Sequence, residues 1–458
     1  MIYLIAKELG MRTFEKACTD LAYKKEDLEL KRARLFPSNN LKITDEVNTT
    51  SIVLSSLCAI KEFRETFFKK IGINTITNKT AKLHAYAEVL PAKQQDRPDG
   101  LIFLTTGSAQ NVDYSFFFEI KTKGKLQKEQ IERYLQKAKD CKIDYLITIS
   151  NEFVTTPNMT PVKDLKPRKN LFHFSWKHIA TILQNVIDDG IADEDQVFIA
   201  NELLAYLDNH PDIKHFSQMH ETWKDDVKEI AVTPINKFSP KKKFDNILVP
   251  VCHSWIQLVK DMSLKLQKQY NKSILIMLDD NNANNLLKRI ECYRKSIETE
   301  KILKTEIGVK QLSSKFFKPR EKFFTISLNF NNREFCNSLN LPAFTGKSNK
   351  SQITEIIKLM DKLQIGEEDK ICITPIIKGN KSLGCATFKE LKERKDFDSK
   401  PFELYDQNLF AKNDIKYFEL SMKYDIDSNS FYSPTKVIEK IDNIAIAFFK
   451  NIINPLCK

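Results

Sequence analysis

The chain has 458 residues, of which 42% are hydrophobic and 29% are charged. This composition excludes wholesale disorder, and it supplies two hydrophobic cores, since a single core rarely serves more than about 250–300 residues. Lysine and arginine (72) outnumber aspartate and glutamate (60), and the formal charge of +12 favours a polyanionic partner, although charge alone is a weak indicator.

The cysteines and the apolar runs indicate in which cellular compartment the protein is expected. None of the nine cysteines stands at the two-residue gap of a zinc knuckle or a redox motif, so we expect free thiols. No apolar run reaches the roughly 18 residues of a membrane span, and the first residues become charged too soon for a signal peptide. We therefore expect a cytoplasmic protein that contacts no membrane.

The first predicted elements are a helix and a strand. Residues 44–70 carry apolar side chains at near-helical spacing and predict one long helix that stops before Gly72, with Glu46 in its first turn. Residues 82–90 alternate between apolar and polar side chains, as a half-buried strand does. Glu88 falls on the polar face of that strand.

The next two predicted strands carry the candidate site residues. Asp99 follows a turn and opens the strand DGLIFLTT. The run VDYSFFFEIK, residues 112–121, has a period of two that places Glu119 and Lys121 on one face and Ile120 on the other. If the two strands are antiparallel neighbours, Asp99, Glu119 and Lys121 meet at one edge of the sheet.

The remaining elements predict a mixed α/β layer followed by a second domain. A helix at 125–140, strands at 143–149 and 171–176 and a helix at 177–187 complete the layer. We predict a domain at 1–190, a helical connector and linker at 191–245, and a second α/β domain at 246–458. The linker contains two prolines and a lysine run within 231–245.

Phosphodiester hydrolysis needs oxygen ligands for a hard divalent ion and a group that helps to aim the attacking water. Asp99 and Glu119 would supply two carboxylates, the Ile120 carbonyl a third oxygen, and Lys121 the assisting cation. An acid-x-lysine triplet alone arises by chance on the order of several times in so charged a chain. Its position after a strand-opening acid makes the combination more specific, although Asp99 could also be a simple turn residue.

The stretches RPDG at 97–100 and EIK at 119–121 resemble the P-D and E-x-K elements of the PD-(D/E)XK, or restriction-endonuclease-like, nuclease superfamily. Gln130 and Tyr134 resemble the Q-x-x-x-Y element of its RecB-like branch. The resemblance covers residues 44–190 and implies a mixed sheet flanked by helices. It further implies that the acids bind Mg²⁺, with Mn²⁺ able to substitute, that the lysine positions or activates water, and that the glutamine and tyrosine contact the nucleic-acid strand.

A further acid usually completes such sites, and the sequence offers two. Glu46 could reach the metal from the first turn of its helix, and Glu88 could reach it through the sheet. Glu46 also has a simpler interpretation, since an acid in a first turn interacts favourably with the helix dipole. We slightly favour Glu46 and leave the choice open.

These observations predict a Mg²⁺-dependent deoxyribonuclease. An appended domain, without methyltransferase or helicase motifs, suggests microbial genome defence by analogy of fold. Two alternatives stay open: a catalytically inactive nucleic-acid-binding or scaffold protein with the same fold, and an RNase effector. The carboxy-terminal domain would select a target, a signal or a protein partner, and a homo-oligomer is also left open.

Overall fold

The computed structural model describes most of the chain. The described residues are 12–37, 42–89, 97–107, 111–162, 165, 168–213, 215–238, 245–270, 274–277, 286–309, 323–344, 346–364, 366–393, 405–406 and 414–456. They group into two compact units. The first comprises Met1–Phe216 and Asn281–Lys288, and the second comprises Ser217–Asp280 and Arg289–Lys458.

The two units divide at Phe216 and Ser217, upstream of the 231–245 segment in which the sequence suggested a seam. Part of the expected linker is instead a helix of the second unit, Trp223–Val232. The indole of Trp223 is fully buried and donates a hydrogen bond to the Phe431 carbonyl (2.9 Å). Residues 239–244 lie outside the described residues.

The first unit contains one five-stranded sheet flanked by helices. Its strands are β1 (Lys82–Ala87), β2 (Gly100–Thr106), β3 (Asn111–Ile120), β4 (Tyr145–Ser150) and β5 (Leu171–Ser175). Its helices are α1 (Phe14–Asp20), α2 (Lys25–Glu29), α3 (Glu46–Ala59), α4 (Lys61–Lys69), α5 (Lys128–Asp140), α6 (Trp176–Asp189) and α7 (Glu194–Asn209). The strands lie in sequence order across the sheet.

The sheet is mixed. β1, β2 and β3 form an antiparallel meander in which Ala87 pairs with Gly100 and Gly100 pairs with Phe118. β4 and β5 run parallel to β3, and helix α5 makes the crossover from β3 to β4. The expected antiparallel pairing of the two site-bearing strands is thereby confirmed.

Both faces of this sheet are covered, so alternate residues of β3 enter different cores. Phe116, Phe118 and Ile120 belong to the core that includes residues of α3, α4 and α6. Phe117 belongs to the opposite core, with residues of α1, α2 and α5. The predicted alternation of β3 is confirmed, and the face that carries Glu119 is the one that faces α5.

Two expectations for the residues before β2 were wrong. The single helix over 44–70 is two helices, because Ile60 adopts an extended conformation (φ −100°, ψ 108°) and buries its side chain completely. Its amide still bonds to the Ser56 carbonyl and its carbonyl accepts from the Arg64 amide, so the break costs little hydrogen bonding. The strand expected over 82–90 ends at Ala87, and Tyr86, which the alternation places on its polar face, is fully enclosed.

The second unit is also mixed α/β, with an eight-stranded sheet and flanking helices. Its strands are β6 (Ile274–Ile276), β7 (Ile302–Val309), β8 (Phe323–Asn329), β9 (Glu334–Pro342), β10 (Ile371–Ile377), β11 (Lys381–Ser382), β12 (Ala386–Thr387) and β13 (Ile415–Asp425). Its helices are α8 (Trp223–Val232), α9 (Asp245–Tyr270), α10 (Leu286–Glu300), α11 (Asn349–Lys362), α12 (Phe388–Glu393), α13 (Ser428–Phe431), α14 (Lys436–Phe448) and α15 (Asn454–Leu456), with a π-helical turn at Phe449–Ile453.

The strands of this second sheet lie in the order β11-β10-β13-β9-β8-β7-β6, with β12 also paired to β10. Every neighbouring pair is antiparallel. The sequence therefore predicted the class of the second domain, and the antiparallel sheet emerges only in the structure.

The cysteines differ from expectation at one pair. Cys372 and Cys385 form a disulfide between Cα atoms 5.9 Å apart, because antiparallel pairing of β10 with β12 brings the two segments together. The free cysteines among the described residues are Cys18, Cys58, Cys141, Cys252, Cys292 and Cys336. In the described part of the chain, no helix combines the length and apolarity needed to cross a membrane.

Candidate active site

Asp99, Glu119 and Lys121 meet at one end of the β2–β3 pair. Asp99 directly precedes β2, Glu119 is the penultimate residue of β3, and Lys121 follows β3. Because the strands are antiparallel, the start of one lies beside the end of the other. Asp99 Oδ2 accepts a hydrogen bond from the Ile120 amide (2.7 Å), which fixes the two strand ends together.

Glu119 is the most enclosed acid of the site, with no exposed surface. Its Oε1 atom lies 2.8 Å from Lys121 Nζ and accepts a hydrogen bond from Gln130 Nε2 (2.6 Å). Its Oε2 atom is buried and accepts no hydrogen bond from an N–H or hydroxyl group, and the Asp99 carboxyl lies within hydrogen-bonding reach of Glu119. A buried carboxylate oxygen without a donor is costly, and a cation relieves that cost.

The two acids perturb each other. Burial raises the pKa of Glu119 to about 8, and the nearby Asp99 charge adds to the shift. Burial likewise raises the pKa of Asp99, while the Lys121 charge opposes the shift. The two carboxyl groups are close enough to share a proton. Near neutral pH, this arrangement favours either a retained proton or a bound cation.

Lys121 is held as a charged ammonium between Glu46 and Glu119. Burial acts to lower its pKa, but the charges of Asp99 and Glu119 outweigh burial and raise the pKa above its ordinary value. Its Nζ also donates to Glu46 Oε1 (3.1 Å). The other Glu46 oxygen accepts from the Thr122 amide (2.9 Å).

Glu46 and Glu88 therefore have different surroundings. Glu46, the first residue of α3, joins the site through Lys121. Glu88 forms an ion pair with Arg97 (2.6 Å) and lies beside Asp99 through a backbone hydrogen bond (3.0 Å). Glu88 also leaves the strand, with a positive φ of 55°. The Lys121 ammonium contacts both Glu46 (3.1 Å) and Glu119 (2.8 Å), so the direct contact of Glu46 with the site is through the lysine.

Gln130 and Tyr134 belong to α5, which covers the Phe117 side of the sheet, and their side chains point toward the site. Gln130 donates to Glu119, as described above, and its Nε2 lies 3.5 Å from the Tyr134 hydroxyl. The Tyr134 hydroxyl donates to the Arg97 carbonyl (3.0 Å), just before Asp99. Burial raises the pKa of Tyr134 to about 12, so it stays a neutral donor. These contacts hold Glu119 and the backbone just before Asp99 from the α5 side of the sheet.

The oxygen atoms at this edge are of the type that Mg²⁺ takes. In the residues that the structure describes, no group of three or more histidine, cysteine, aspartate or glutamate side chains is arranged to hold a metal ion. Mg²⁺, however, commonly binds through one or two carboxylates and keeps several waters. Asp99 and Glu119 could supply that pair, and the Glu119 oxygen that accepts from no N–H or hydroxyl group is chemically suited to such an ion.

The Ile120 carbonyl could add a third oxygen. The Gly100–Phe118 pairing, continued by two residues, brings Ile120 opposite Pro98. The Ile120 amide points toward that side, as its bond to Asp99 shows, and in a strand the carbonyl of the same residue points the same way. Proline has no N–H to donate. Pro98 therefore ends the ladder and leaves this carbonyl without a donor at that position.

Several supporting residues were missed by the sequence-based reasoning. The Thr49 hydroxyl contacts Tyr206 (2.7 Å) and His210 (3.1 Å), which anchors the first turns of α3 to α7. Asn151 donates to the Thr122 carbonyl (2.8 Å) and holds the turn after Lys121. These polar residues lie far apart in the sequence, and no spacing rule connects them.

Gly100 has a packing role that its position in the RPDG stretch did not reveal. A methyl group at this residue would overlap the side chain of Leu54 in α3. The glycine therefore lets α3 approach the start of β2 closely, which helps to bring Glu46 toward Lys121. The need for a glycine at this position arises from an approaching helix, so no local turn pattern in the sequence predicts it.

Comparisons with known proteins add no family to this description. No family model, no curated protein sequence and no solved structure is significantly similar to the chain.

Proposed function

We propose that the first unit is a Mg²⁺-dependent deoxyribonuclease with a restriction-endonuclease-like fold. The observation that carries this proposal is the close Asp99–Glu119 carboxyl pair, in which a fully buried Glu119 oxygen accepts from no N–H or hydroxyl group and the Lys121 ammonium lies 2.8 Å from the other oxygen. Most buried polar atoms in proteins are hydrogen-bonded, so a buried carboxylate oxygen that accepts from no N–H or hydroxyl group needs an explanation. A binding site for a divalent ion explains such an oxygen, because the ion would take the place of the missing donor.

Each residue would have a defined task. Asp99, Glu119 and the Ile120 carbonyl would hold the ion, which supplies Lewis acidity and charge neutralisation for phosphodiester hydrolysis. Lys121 would orient the attacking water and stabilise charge that develops on the phosphate. Glu46 would keep Lys121 charged and aimed. Gln130 would hold Glu119, to which it donates, and Tyr134 would hold the backbone just before Asp99, because its hydroxyl donates to the Arg97 carbonyl.

The architecture supports the restriction-endonuclease-like assignment without depending on sequence similarity. A mixed five-stranded sheet flanked by helices, with the acids at the junction of two antiparallel strands, agrees with what the resemblance implies. We further propose a cytoplasmic role in microbial genome defence, in which the second unit selects the target or a protein partner. This role rests on analogy of fold.

The test is cleavage by the purified full-length protein. Supercoiled plasmid, linear duplex DNA, single-stranded DNA and RNA are incubated with Mg²⁺, Mn²⁺ or EDTA, beside the near-isosteric variants Asp99→Asn, Glu119→Gln and Lys121→Met. We expect DNA cleavage that needs the metal, and a loss of at least about 100-fold in each variant. Glu65→Gln, a partly buried acid of α4 that pairs with Lys69, serves as the matched control and should cut normally.

Two results would overturn the proposal in different directions. If the wild type and variants bind DNA alike and none cuts any substrate, the unit is a nucleic-acid-binding scaffold without chemistry. If only RNA is degraded and the same variants abolish that activity, the chemistry stands and the substrate is wrong.

A further inference from the structure

The 30–36 segment, with sequence LKRARLF, is an unusual stretch of surface. Leu30 and Phe36 are 81% and 88% exposed, the two highest values among the exposed large hydrophobic residues of the described chain. Between them, Lys31, Arg32 and Arg34 are all exposed. Isolated exposed apolar residues need no explanation, but two of them flanking three cations indicate a surface that contacts a partner.

The backbone of the 30–36 segment is held firmly although its side chains face outward. It pairs with the outer edge of β1, where Ala87 donates to the Lys31 carbonyl (2.8 Å) and Ala33 donates to the Ala85 carbonyl (2.9 Å). The Ser51 hydroxyl of α3 accepts from the Arg34 amide (2.7 Å) and donates to the Arg34 carbonyl (3.1 Å). A fixed backbone reduces the ordering cost of binding a ligand.

This segment lies close to the candidate active site. Consecutive amides of the β1 end point in opposite directions: Ala87 bonds to Lys31 and Glu88 bonds to Asp99. Lys31 and Asp99 are therefore about 10 Å apart, which is two strand spacings. The segment is also bonded to Ser51 of α3 through Arg34, and Ser51 lies five residues, or about 7.5 Å along the helix, after Glu46. A polymer bound at the acids can reach this segment.

The charges of the 30–36 segment are only partly neutralised. Arg32 forms an ion pair with Glu29 (2.6 Å), and Glu29 also accepts from the Tyr86 hydroxyl (2.9 Å). Within the described residues, neither Lys31 nor Arg34 has a carboxylate within ion-pair distance. Two cations without an ion pair to a described carboxylate, in the same segment as an exposed aromatic ring, suit phosphates and a base of one strand.

We propose that the 30–36 segment binds single-stranded DNA that leads into the active site, with Lys31 and Arg34 on phosphates and Phe36 stacked on a base. This inference rests on the proposed function, because it makes the segment the extension of that site. Single-stranded DNA is favoured over duplex since a duplex hides its base faces in the stack, whereas an aromatic side chain needs an open one. The proposed substrate is therefore single-stranded DNA or a duplex with a frayed end.

Binding is measured by fluorescence anisotropy with the full-length protein in EDTA, so that cleavage plays no part. The probes are a labelled oligothymidylate, a blunt duplex and an oligouridylate. We expect Phe36→Ala to weaken oligothymidylate binding roughly five-fold or more, and Phe36→Trp to restore it. Lys31→Ala and Arg34→Ala should each weaken binding and reduce the salt dependence by about one phosphate contact.

Matched controls come from the same unit. Phe198→Ala removes another exposed phenylalanine, on α7 (66% exposed), and should leave binding unchanged. Lys79→Ala removes an exposed lysine just before β1, about 20 Å of strand away from the acids, and should also have no effect. Thermal unfolding of each variant checks that the fold is retained.

The outcomes separate this inference from the proposed nuclease. If DNA is cut but Phe36→Ala and Lys31→Ala bind like the wild type, the nuclease stands and the docking surface is wrong. If the variants lose binding but the wild type never cuts, the docking surface stands and the nuclease is wrong. Preference for the blunt duplex, or for the oligouridylate, would overturn the assignment to single-stranded DNA.

Discussion

The carboxylate of Glu46 lies 3.1 Å from the ammonium of Lys121, although 75 residues separate them in the chain. This ion pair joins the first turn of α3 to the end of β3, and the Thr122 amide adds a second bond to the same carboxylate. Lys121 is thus held from two sides, by Glu46 and by Glu119. The lysine is fixed before any ligand arrives, which is what a positioned catalytic cation requires.

The first prediction concerns Glu46 itself. Glu46→Gln keeps an oxygen for the Thr122 amide but removes the charge that holds Lys121, so we expect kcat to fall about 10- to 100-fold. The Kd for Mg²⁺ should change less than about two-fold, because Lys121 stands between Glu46 and the acid pair. Metal titration and steady-state kinetics check both numbers. Glu88→Gln, which disturbs only the Arg97 pair, is the control, and a large loss of Mg²⁺ affinity in Glu46→Gln would instead make Glu46 a ligand.

The second prediction is that metal binding releases a proton. The raised pKa values of Glu119, about 8, and of Asp99 mean that the metal-free pair retains a proton near neutral pH, which the ion must displace. Mg²⁺ affinity should therefore increase as pH rises toward 8 and level off above it. Calorimetry in buffers of different ionisation enthalpy should detect about one proton per ion at neutral pH. Asp99→Asn should reduce the release, because it removes the Asp99 charge but not the burial of Glu119. A pH-independent affinity in the wild type would contradict the assignment.

The third prediction is that Glu119→Gln stabilises the metal-free protein. The folded pKa of Glu119 lies above its ordinary value, so the folded state holds a proton that the unfolded state loses. The free energy of unfolding should therefore fall as pH rises from about 4.5 to 8. An amide at this position carries no charge, so the variant should be more stable by roughly 1–3 kcal/mol above pH 8. Urea denaturation in EDTA measures this, and a destabilised variant would mean that Glu119 is a structural ion-pair residue.

The fourth prediction concerns His173, away from the acids. Burial lowers its pKa to about 4, and the neutral ring bonds to Thr148 (2.9 Å) and to the Glu152 carbonyl (2.8 Å). Below its ordinary pKa the unfolded state binds a proton that the folded state excludes. Stability should therefore fall as pH drops from about 6.5 to 4.

Denaturant unfolding of the wild type and of His173→Gln over that pH range checks the effect. The variant should be less stable at neutral pH by about 1–2 kcal/mol, because it disturbs two buried hydrogen bonds. Its stability should also vary less with pH. A slope equal to that of the wild type would show that other groups cause the acid sensitivity.

Some of the site was predictable from the sequence because its determinants are local. The period of two in residues 112–121 follows from strand geometry, and this period alone places Glu119 and Lys121 on one face. Gln130 and Tyr134 are four residues apart, about one turn of a helix, so the sequence also predicted that they share a face. Asp99 was identified because the strand after it is strongly apolar.

Other features depended on contacts between distant segments. The sequence does not reveal that Ile60 breaks the expected helix, because a buried isoleucine satisfies the same periodicity in one helix or two. It left Glu46 and Glu88 undecided, because each lies at the correct end of its element and only the packing of α3 against the sheet brings Glu46 to Lys121. The pairing of Cys372 with Cys385 likewise depended on strand register.

The sequence by itself therefore determined which residues form the candidate site and which face of each element they occupy, because periodicity and residue type are properties of a short stretch of chain. The tertiary structure alone decided which of these residues meet, since the Glu46–Lys121 pair, the buried Glu119 oxygen and the position of the 30–36 segment beside Asp99 all depend on how α3, β1 and β3 pack. Burial and distance set the pKa values and the charge balance of the site, and both arise only when separate segments enclose the same groups.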